Sequence, residues 1–138
     1  MSDKYVVKIE GRAVPFTRHY GEGKRAYNST RYNNFRTLVG WMARIAIQGA
    51  PMLSGPVFVV IEVFISGRRP GDLDNYGKAA LDGLQGIFYE DDRCVESVIM
   101  LRSRCEKDAE RMILRVCEVS PAALEKIRGE AHRIFDEL

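Results

Sequence analysis

The sequence has few of the residues that build disulfide-rich, zinc-binding or membrane-spanning proteins. Its three cysteines, Cys94, Cys105 and Cys117, are an odd number at wide spacing without a Cys-x-x-Cys pair. This pattern argues against a disulfide framework and a zinc site, and it favours reduced, half-buried thiols. No apolar run approaches the roughly 20 residues of a membrane helix. No signal peptide is visible, so we expect a cytoplasmic protein that does not associate with membranes.

Histidine is also scarce, with only His19 and His132, and neither lies near the acidic cluster described below. A net charge of +2 excludes no partner, because acidic residues at a metal site can mask a basic surface. The composition, 46% hydrophobic and 29% charged, is that of a globular protein. There is no internal repeat or low-complexity tract. A length of 138 residues therefore predicts one domain, residues 1–138, with a single core.

Hydrophobic periodicity predicts seven elements in the order β-α-β-α-β-β-α. This order indicates an α/β fold in two layers, a mixed four-stranded sheet with helices. The almost continuous apolar run 57–65 is typical of a central strand covered on both faces. Residues 94–104 and 110–118 predict a hairpin whose second strand points Arg111 and Arg115 outward, with Arg102 and Arg104 extending that basic face. The other predicted elements are a strand at 4–10 and helices at 30–48, from Asp74 to Leu84, and after Ser120 and Pro121.

Residues 12–27 form a long segment without periodicity, which favours a functional loop. The segment mixes cations with aromatic residues. It suits either an ordinary solvated loop or, as we favour, contact with a DNA backbone and stacking on exposed bases. We expect the DNA-binding residues to lie here and in the next basic turn: Arg12, Arg18, Lys24, Arg25, Arg68 and Arg69.

The segment Asp-Leu-Asp-Asn-Tyr-Gly-Lys, residues 72–78, predicts a metal site. In an extended lead-in, Asp72 and Asp74 point the same way, and Lys78 shares the helical face of Asp74 one turn later. Crowded carboxylates repel, and the usual remedies are a raised pKa on one of them or a divalent cation between them. Mg²⁺ prefers such oxygen ligands together with phosphate oxygens. With Asp92 from the next loop, three carboxylates could hold two ions for phosphodiester cleavage. We expect Asp72, Asp74, Asp92 and Lys78 to be catalytic, without a histidine base.

Three other acidic residues, Asp82, Asp91 and Glu62, each allow two interpretations. Asp82 lies one turn beyond Lys78, so an ion pair that orients the lysine is its simpler role. Asp91 is a further ligand or an ordinary loop residue. Glu62 interrupts a buried strand, so it is either a site residue or lies on an unprotected strand face. Trp41 and the methionines are expected in the core.

The run Asp-Leu-Asp-Asn, then Lys78, Asp82-Gly-Leu and Asp91-Asp92, resembles the signature of RusA-type Holliday junction resolvases. The resemblance implies a dimeric α/β fold, magnesium bound by Asp72, Asp74 and Asp92, and a lysine, Lys78, that is needed for activity. It also implies paired symmetric cuts across four-way DNA junctions, in recombination and repair, by proteins that phages and prophages often encode. Relatives often carry a basic residue where this chain has Gly71.

Two other functions remain open from the sequence alone. One is a non-catalytic module that binds branched DNA, with structural aspartates, and the other is a metal-dependent phosphohydrolase of free nucleotides. The aromatic and basic loop argues against the nucleotide enzyme, because a small substrate does not need such a surface. Binding without magnesium and without nicking would distinguish the DNA-binding module.

Overall fold

The computed structural model shows a four-stranded sheet with two helices packed on one face, and it describes residues 3–20 and 26–138. For residues 18–20 and 26–28 it describes the backbone only. The sheet has the order β1-β6-β4-β5, and the short strands β2 and β3 form a separate ribbon. The predicted α/β class, element order and mixed sheet are confirmed. The elements are β1 (Lys4–Glu10), β2 (Arg18–Tyr20), β3 (Ala26–Asn28), α1 (Thr30–Ile47), β4 (Val57–Ile65), α2 (Leu73–Leu84), β5 (Val95–Arg104), β6 (Arg111–Glu118) and α3 (Pro121–Glu137).

Strand β4 is central, but only one of its faces is fully covered. Alternate residues are buried beneath the helices, because successive side chains of a strand point to opposite faces. The other face, called the outer face below, is only half-buried along β4. The prediction of a strand covered on both faces was therefore wrong. The buried β4 residues are Val57, Val59, Ile61, Val63 and Ile65.

The predicted hairpin of the last two sheet strands was also wrong. Strand β4 lies between β5 and β6, pairing parallel with β5 and antiparallel with β6. The parallel pair requires a crossover, which α2 provides. As a result Arg102 pairs with Val63 on the helix side, whereas Arg115 pairs with Val60 on the outer face. Arg102 and Arg104 thus do not extend the basic face of β6.

Helix α1 buries one side and leaves Trp41 on the other. Ser29 caps it, because its hydroxyl oxygen accepts a hydrogen bond from the Tyr32 backbone N–H at 3.1 Å. Trp41 is 64% exposed, so its assignment to the core was wrong. Among the methionines, Met112 is buried in the core as expected, whereas Met52 is exposed. The buried residues of α1 are Tyr32, Phe35, Val39, Ala43 and Ile47.

All three cysteines lie among the described residues, and they are free and half-buried as predicted. Among residues 3–20 and 26–138, no helix combines the length and apolarity that spanning a membrane would require.

A glycine sets the distance between α1 and α2. A Cβ at Gly83 would lie 2.5 Å from Cγ1 of Val39 and 2.6 Å from its Cβ. We therefore expect Gly83→Ala to destabilise the fold by about 1–2 kcal/mol in urea unfolding, because overpacking outweighs the gain in helix propensity. Gly129→Ala is the control, since nothing lies within 4 Å of that position in α3, and it should be neutral or stabilising. Equal effects of the two substitutions would contradict this packing.

Candidate active site

The N-terminus of α2 holds the first two aspartates of the acidic segment. The helix begins at Leu73, one residue before the predicted start at Asp74. Asp72 is its N-cap residue, and the Asp72 carbonyl oxygen accepts from the N–H groups of Asn75 and Tyr76 at 3.1 and 3.3 Å. In the first turn, a carboxylate oxygen of Asp74 accepts from the Asn75 N–H at 3.0 Å. Both aspartates are exposed. Two carboxylates thus face solvent at the positive end of the helix dipole, which favours negative charge.

The turn before Asp72 is fixed from three sides. The Gly71 N–H donates to the hydroxyl of buried Tyr76 at 3.0 Å, and the Gly71 carbonyl accepts from an Arg102 guanidinium N–H at 2.7 Å. The Phe16 N–H donates to the Asn75 carbonyl at 2.9 Å. A side chain at Gly71 would collide with Pro15, since its Cβ would lie 2.7 Å from the proline Cγ. The aspartates therefore stand on a backbone that is held in one position.

Lys78 is oriented by two neighbours. Its ammonium nitrogen lies 3.4 Å from a carboxylate oxygen of Asp82 and 4.9 Å from the centroid of the Phe16 ring. The Tyr32 hydroxyl donates to the same Asp82 oxygen at 2.6 Å, and burial together with this bond raises the pKa of Tyr32. The expected ion pair between Lys78 and Asp82 is confirmed. Tyr32 had no signal in the sequence, because its partner lies 50 residues away.

The second acidic segment, residues 90–92, follows the C-terminal end of α2. Tyr89 anchors it by donating its hydroxyl to the Leu81 carbonyl at 2.6 Å. Burial raises the pKa of Tyr89, and the charges of Asp82 and Asp92 raise it further. Asp91 accepts from the N–H of Arg93 at 2.9 Å, and this bond lowers the pKa of Asp91. Asp91 thus closes a local turn, which is its simpler reading.

The two acidic segments lie at opposite ends of α2. Because α2 connects two parallel strands, it runs from one end of the sheet to the other, and its 12 residues span about 18 Å. In the described part of the chain, no three His, Cys, Asp or Glu side chains are close enough to hold a metal ion. One chain therefore brings Asp72, Asp74 and Lys78 to the same helix and leaves Asp92 beyond its far end.

The predicted DNA-binding residues lie in different surroundings. Arg12 pairs with the buried Glu110 at 2.5 Å and also donates to the Ser66 carbonyl at 3.1 Å. Hydrogen bonds from Ser66, followed by the charge of Arg12, lower the pKa of Glu110. Arg68 and Arg69 are exposed on the turn between β4 and α2. The backbone of Arg18 lies in β2, and Lys24 and Arg25 lie outside the described residues.

Arg102 and Arg104 of β5 also contact the turn between β4 and α2, although the sequence assigned them to the basic face of β6. Arg104 donates to the Gly67 carbonyl at 2.7 Å, as Arg102 does to Gly71. Glu62 instead points to the outer face, where it accepts from the Ser103 hydroxyl at 3.2 Å and faces Arg115 at 3.8 Å. Glu62 therefore belongs to an unprotected strand face and not to the acidic site.

A family model for the endodeoxyribonuclease RusA matches residues 8–116. The chain belongs to the RusA family. The matched region contains α2 and both acidic segments. It also contains the four-stranded sheet, except for the first residues of β1 and the last residues of β6. Helix α3 lies wholly outside it. No curated protein is significantly similar to the chain. RusA membership assigns the chain to endodeoxyribonucleases that act on Holliday junctions, in DNA recombination and repair, and such nucleases generally use a divalent metal.

Proposed function

We propose that this RusA-family protein is a magnesium-dependent, structure-selective endonuclease. It resolves Holliday junctions and other branched DNA by paired nicks that leave 5′-phosphate and 3′-hydroxyl ends. It acts as a homodimer in the cytoplasm, in recombination and repair, and the resemblance favours a phage or prophage origin. The observation that carries this proposal is the pair of exposed aspartates, Asp72 and Asp74, at the N-terminus of the helix that also carries Lys78.

The residues at the N-terminus of α2 fit a magnesium ion. Mg²⁺ is commonly held by one or two carboxylates, with water and substrate phosphate oxygens completing its shell. Asp72 and Asp74 supply such a pair on a rigid turn, and the helix N-terminus contributes partial positive charge toward a phosphate. When bound there, the ion would make an attacking water more acidic and stabilise charge on the phosphate. Asp92 is the third carboxylate that the resemblance implies.

Lys78 provides the cation for the phosphate itself. The Lys78 side chain is 46% exposed, and Asp82 with the Phe16 ring restricts where it points. A positioned cation stabilises the negative charge that develops on the phosphate, and it costs no reorganisation during the reaction. Lys78 thus binds or neutralises the scissile phosphate, while the two aspartates bind the metal.

The arginines around the turn between β4 and α2 form the DNA surface next to the aspartates. Arg68 and Arg69 are exposed on that turn, and Arg102 and Arg104 approach it from β5. A guanidinium has five N–H donors, so the carbonyl contacts leave donors available for phosphate oxygens. The other predicted DNA-binding residues, Arg12, Arg18, Lys24 and Arg25, supply further phosphate contacts for branched DNA.

One assay separates the proposal from its two alternatives. The purified protein is incubated with a synthetic four-way junction, a matched linear duplex and nucleoside triphosphates, each with magnesium or with EDTA. We expect paired nicks in the junction only with magnesium, and little cleavage of the duplex. Junction binding without any nicking would support a non-catalytic module. Turnover of nucleotides without DNA would support a phosphohydrolase.

Asp82 should act through Lys78, because it contacts the lysine and not the metal-binding aspartates. We expect Asp82→Asn to lower the single-turnover cleavage rate about tenfold, since the lysine loses its ionic partner, with junction affinity changed less than twofold. Tyr32→Phe, which removes only the hydroxyl, should give a smaller decrease in the same direction.

A double-mutant cycle checks this role. In a Lys78→Ala background, Asp82→Asn should have almost no further effect, because its target is gone. Additive losses in the double variant would show that Asp82 acts independently of Lys78.

A further inference from the structure

We propose that Arg102 couples the binding of DNA to the binding of metal at the N-terminus of α2. Its guanidinium holds the backbone carbonyl that precedes Asp72, and the same group binds a DNA phosphate with its remaining N–H donors. This inference rests on the proposed function, because it concerns how substrate and metal act on the same site. Arg102 is a positioning residue in this role, since it affects the metal through the backbone that carries Asp72.

The position of the Asp72 carboxylate depends on the backbone before it. Asp72 is the N-cap residue of α2, but among the described residues its side chain makes no capping hydrogen bond. The Gly71 N–H is held from inside the fold by the hydroxyl of buried Tyr76, and the Gly71 carbonyl is held from the surface by Arg102. The Asp72 carboxylate is therefore directed toward a metal only as well as these two bonds fix the turn.

Strand β5 brings Arg102 to this carbonyl by packing closely against α2. Met100, Arg102 and Arg104 pair with buried residues of β4, so they lie on the helix side of the sheet. Met100 packs against Gly77, where a side chain would collide with the methionine sulfur. Because β5 and α2 are so close at this point, Arg102 reaches the Gly71 carbonyl at 2.7 Å. The packing of the fold thus specifies the contact.

The Arg102 guanidinium has donors that the protein leaves unused. Arg102 is exposed, and within the described part of the chain its one hydrogen bond goes to Gly71. A guanidinium carries five N–H donors in a planar fork, so it can bind a carbonyl with one edge and a phosphate with another. Arg68 and Arg69 are exposed on the same turn and add to the attraction for phosphate. One side chain therefore connects the DNA surface to the metal-binding turn.

A phosphate bound to Arg102 should strengthen its bond to the turn. Water competes with the Gly71 carbonyl for an exposed guanidinium, so the bond alone holds the turn only in part. A phosphate on the other edge excludes water and restricts the side chain, which makes the bond to the carbonyl stronger. The turn is then better ordered for a metal ion. By thermodynamic linkage, the metal must raise the affinity for DNA by the same factor.

Arg104 provides an internal comparison for this role. It lies on the same side of β5, is also exposed, and donates to the Gly67 carbonyl at the same distance of 2.7 Å. Gly67 lies at the start of the turn, whereas Gly71 directly precedes Asp72. Both arginines should therefore contribute to DNA affinity, but only Arg102 should affect the metal.

Junction affinity with and without magnesium measures the coupling. The Lys78→Ala protein is used, because it keeps the proposed metal ligands and should cut slowly enough for equilibrium binding. Gel-shift titrations in EDTA and in magnesium, at equal ionic strength, should show that magnesium tightens binding about tenfold. Adding Arg102→Met should reduce this effect to about twofold, the remainder coming from a metal that touches phosphate directly. Adding Arg104→Met should leave it at about tenfold, although affinity in EDTA falls in both variants.

Hydrogen exchange tests the same coupling without any metal. In EDTA, junction binding should slow exchange of the backbone amides of residues 71–76 about fivefold in the Lys78→Ala protein and in its Arg104→Met form. The slowing should be lost in the Arg102→Met form. Arg102→Lys keeps the charge without the planar fork, so it should recover junction affinity in EDTA but not the effect of magnesium.

Several results would overturn the inference. Arg102 would be an ordinary phosphate contact if Arg102→Met and Arg104→Met left the same magnesium effect on junction affinity. A full magnesium effect in Arg102→Lys would show that charge alone suffices, and no magnesium effect in the parent protein would exclude coupling. Each of these outcomes leaves the proposed nuclease intact. A wild-type protein that neither binds nor cuts the junction would instead refute the proposed function.

Discussion

Asp74→Asn should abolish cleavage of a four-way junction while the protein still binds it. The Asp74 carboxylate is exposed in the first turn of α2, so its replacement removes the proposed metal ligand without disturbing the core. We expect a rate about 10³-fold lower, the scale seen when stabilisation that acts mainly in the transition state is lost. Affinity measured in EDTA should stay within about twofold, because the arginines proposed to contact phosphates are unchanged. Single-turnover cleavage and gel-shift titration measure the two quantities.

The control for this substitution is Asp108→Asn. Asp108 is an exposed aspartate in the turn between β5 and β6, and it is not part of the acidic constellation. The same chemical change at that position should leave both cleavage and binding at wild-type values. Undiminished cutting by Asp74→Asn would reject the assignment of Asp74 as a metal ligand.

Lys78→Ala should produce the second large effect. The single-turnover rate at which bound junction is cleaved should fall about 10²-fold. The lysine is held by Asp82 and Phe16 without being buried, so its loss removes a positioned cation and little packing. Lys78→Arg keeps the charge in a larger, planar group, and it should recover only part of the rate. The loss should appear in the rate of the chemical step and not in the magnesium concentration that gives half-maximal activity.

Lys107→Ala provides the matched comparison, because Lys107 is an exposed lysine in the turn that also carries Asp108. It should cut at the wild-type rate. If Lys78→Ala changed the affinity for the junction and left the cleavage rate of bound junction unchanged, Lys78 would be an ordinary phosphate contact and not part of the chemistry.

Features that depend on neighbouring residues were predictable. The common helical face of Asp74 and Lys78 follows from helical geometry, and so does the ion pair of Lys78 with Asp82. Ser29 caps α1, and the hydroxyl of Ser120 likewise accepts from the Ala123 N–H to cap α3. These contacts form within a few residues, so local sequence specifies them.

Features that depend on distant residues were not predictable. The hairpin prediction was wrong because pairing between strands depends on which sheet edge is free, and β4 occupies the position between β5 and β6. Trp41 was assigned to the core as a large apolar residue, but which side of α1 is covered depends on how the helix packs, and Trp41 lies on the exposed side. Tyr32 reaches Asp82 only after α1 and α2 pack against each other.

Local periodicity and residue order were sufficient to predict the class of the fold, its element order and the acidic signature of the RusA family. Three other features depend on how distant elements pack: Asp92 lies at the far end of α2, Arg102 contacts the turn before Asp72, and β5 is an edge strand among the described strands. The position of Asp92 follows from the parallel crossover. A helix that joins two parallel strands must separate its ends by its own length, whatever residues those ends carry.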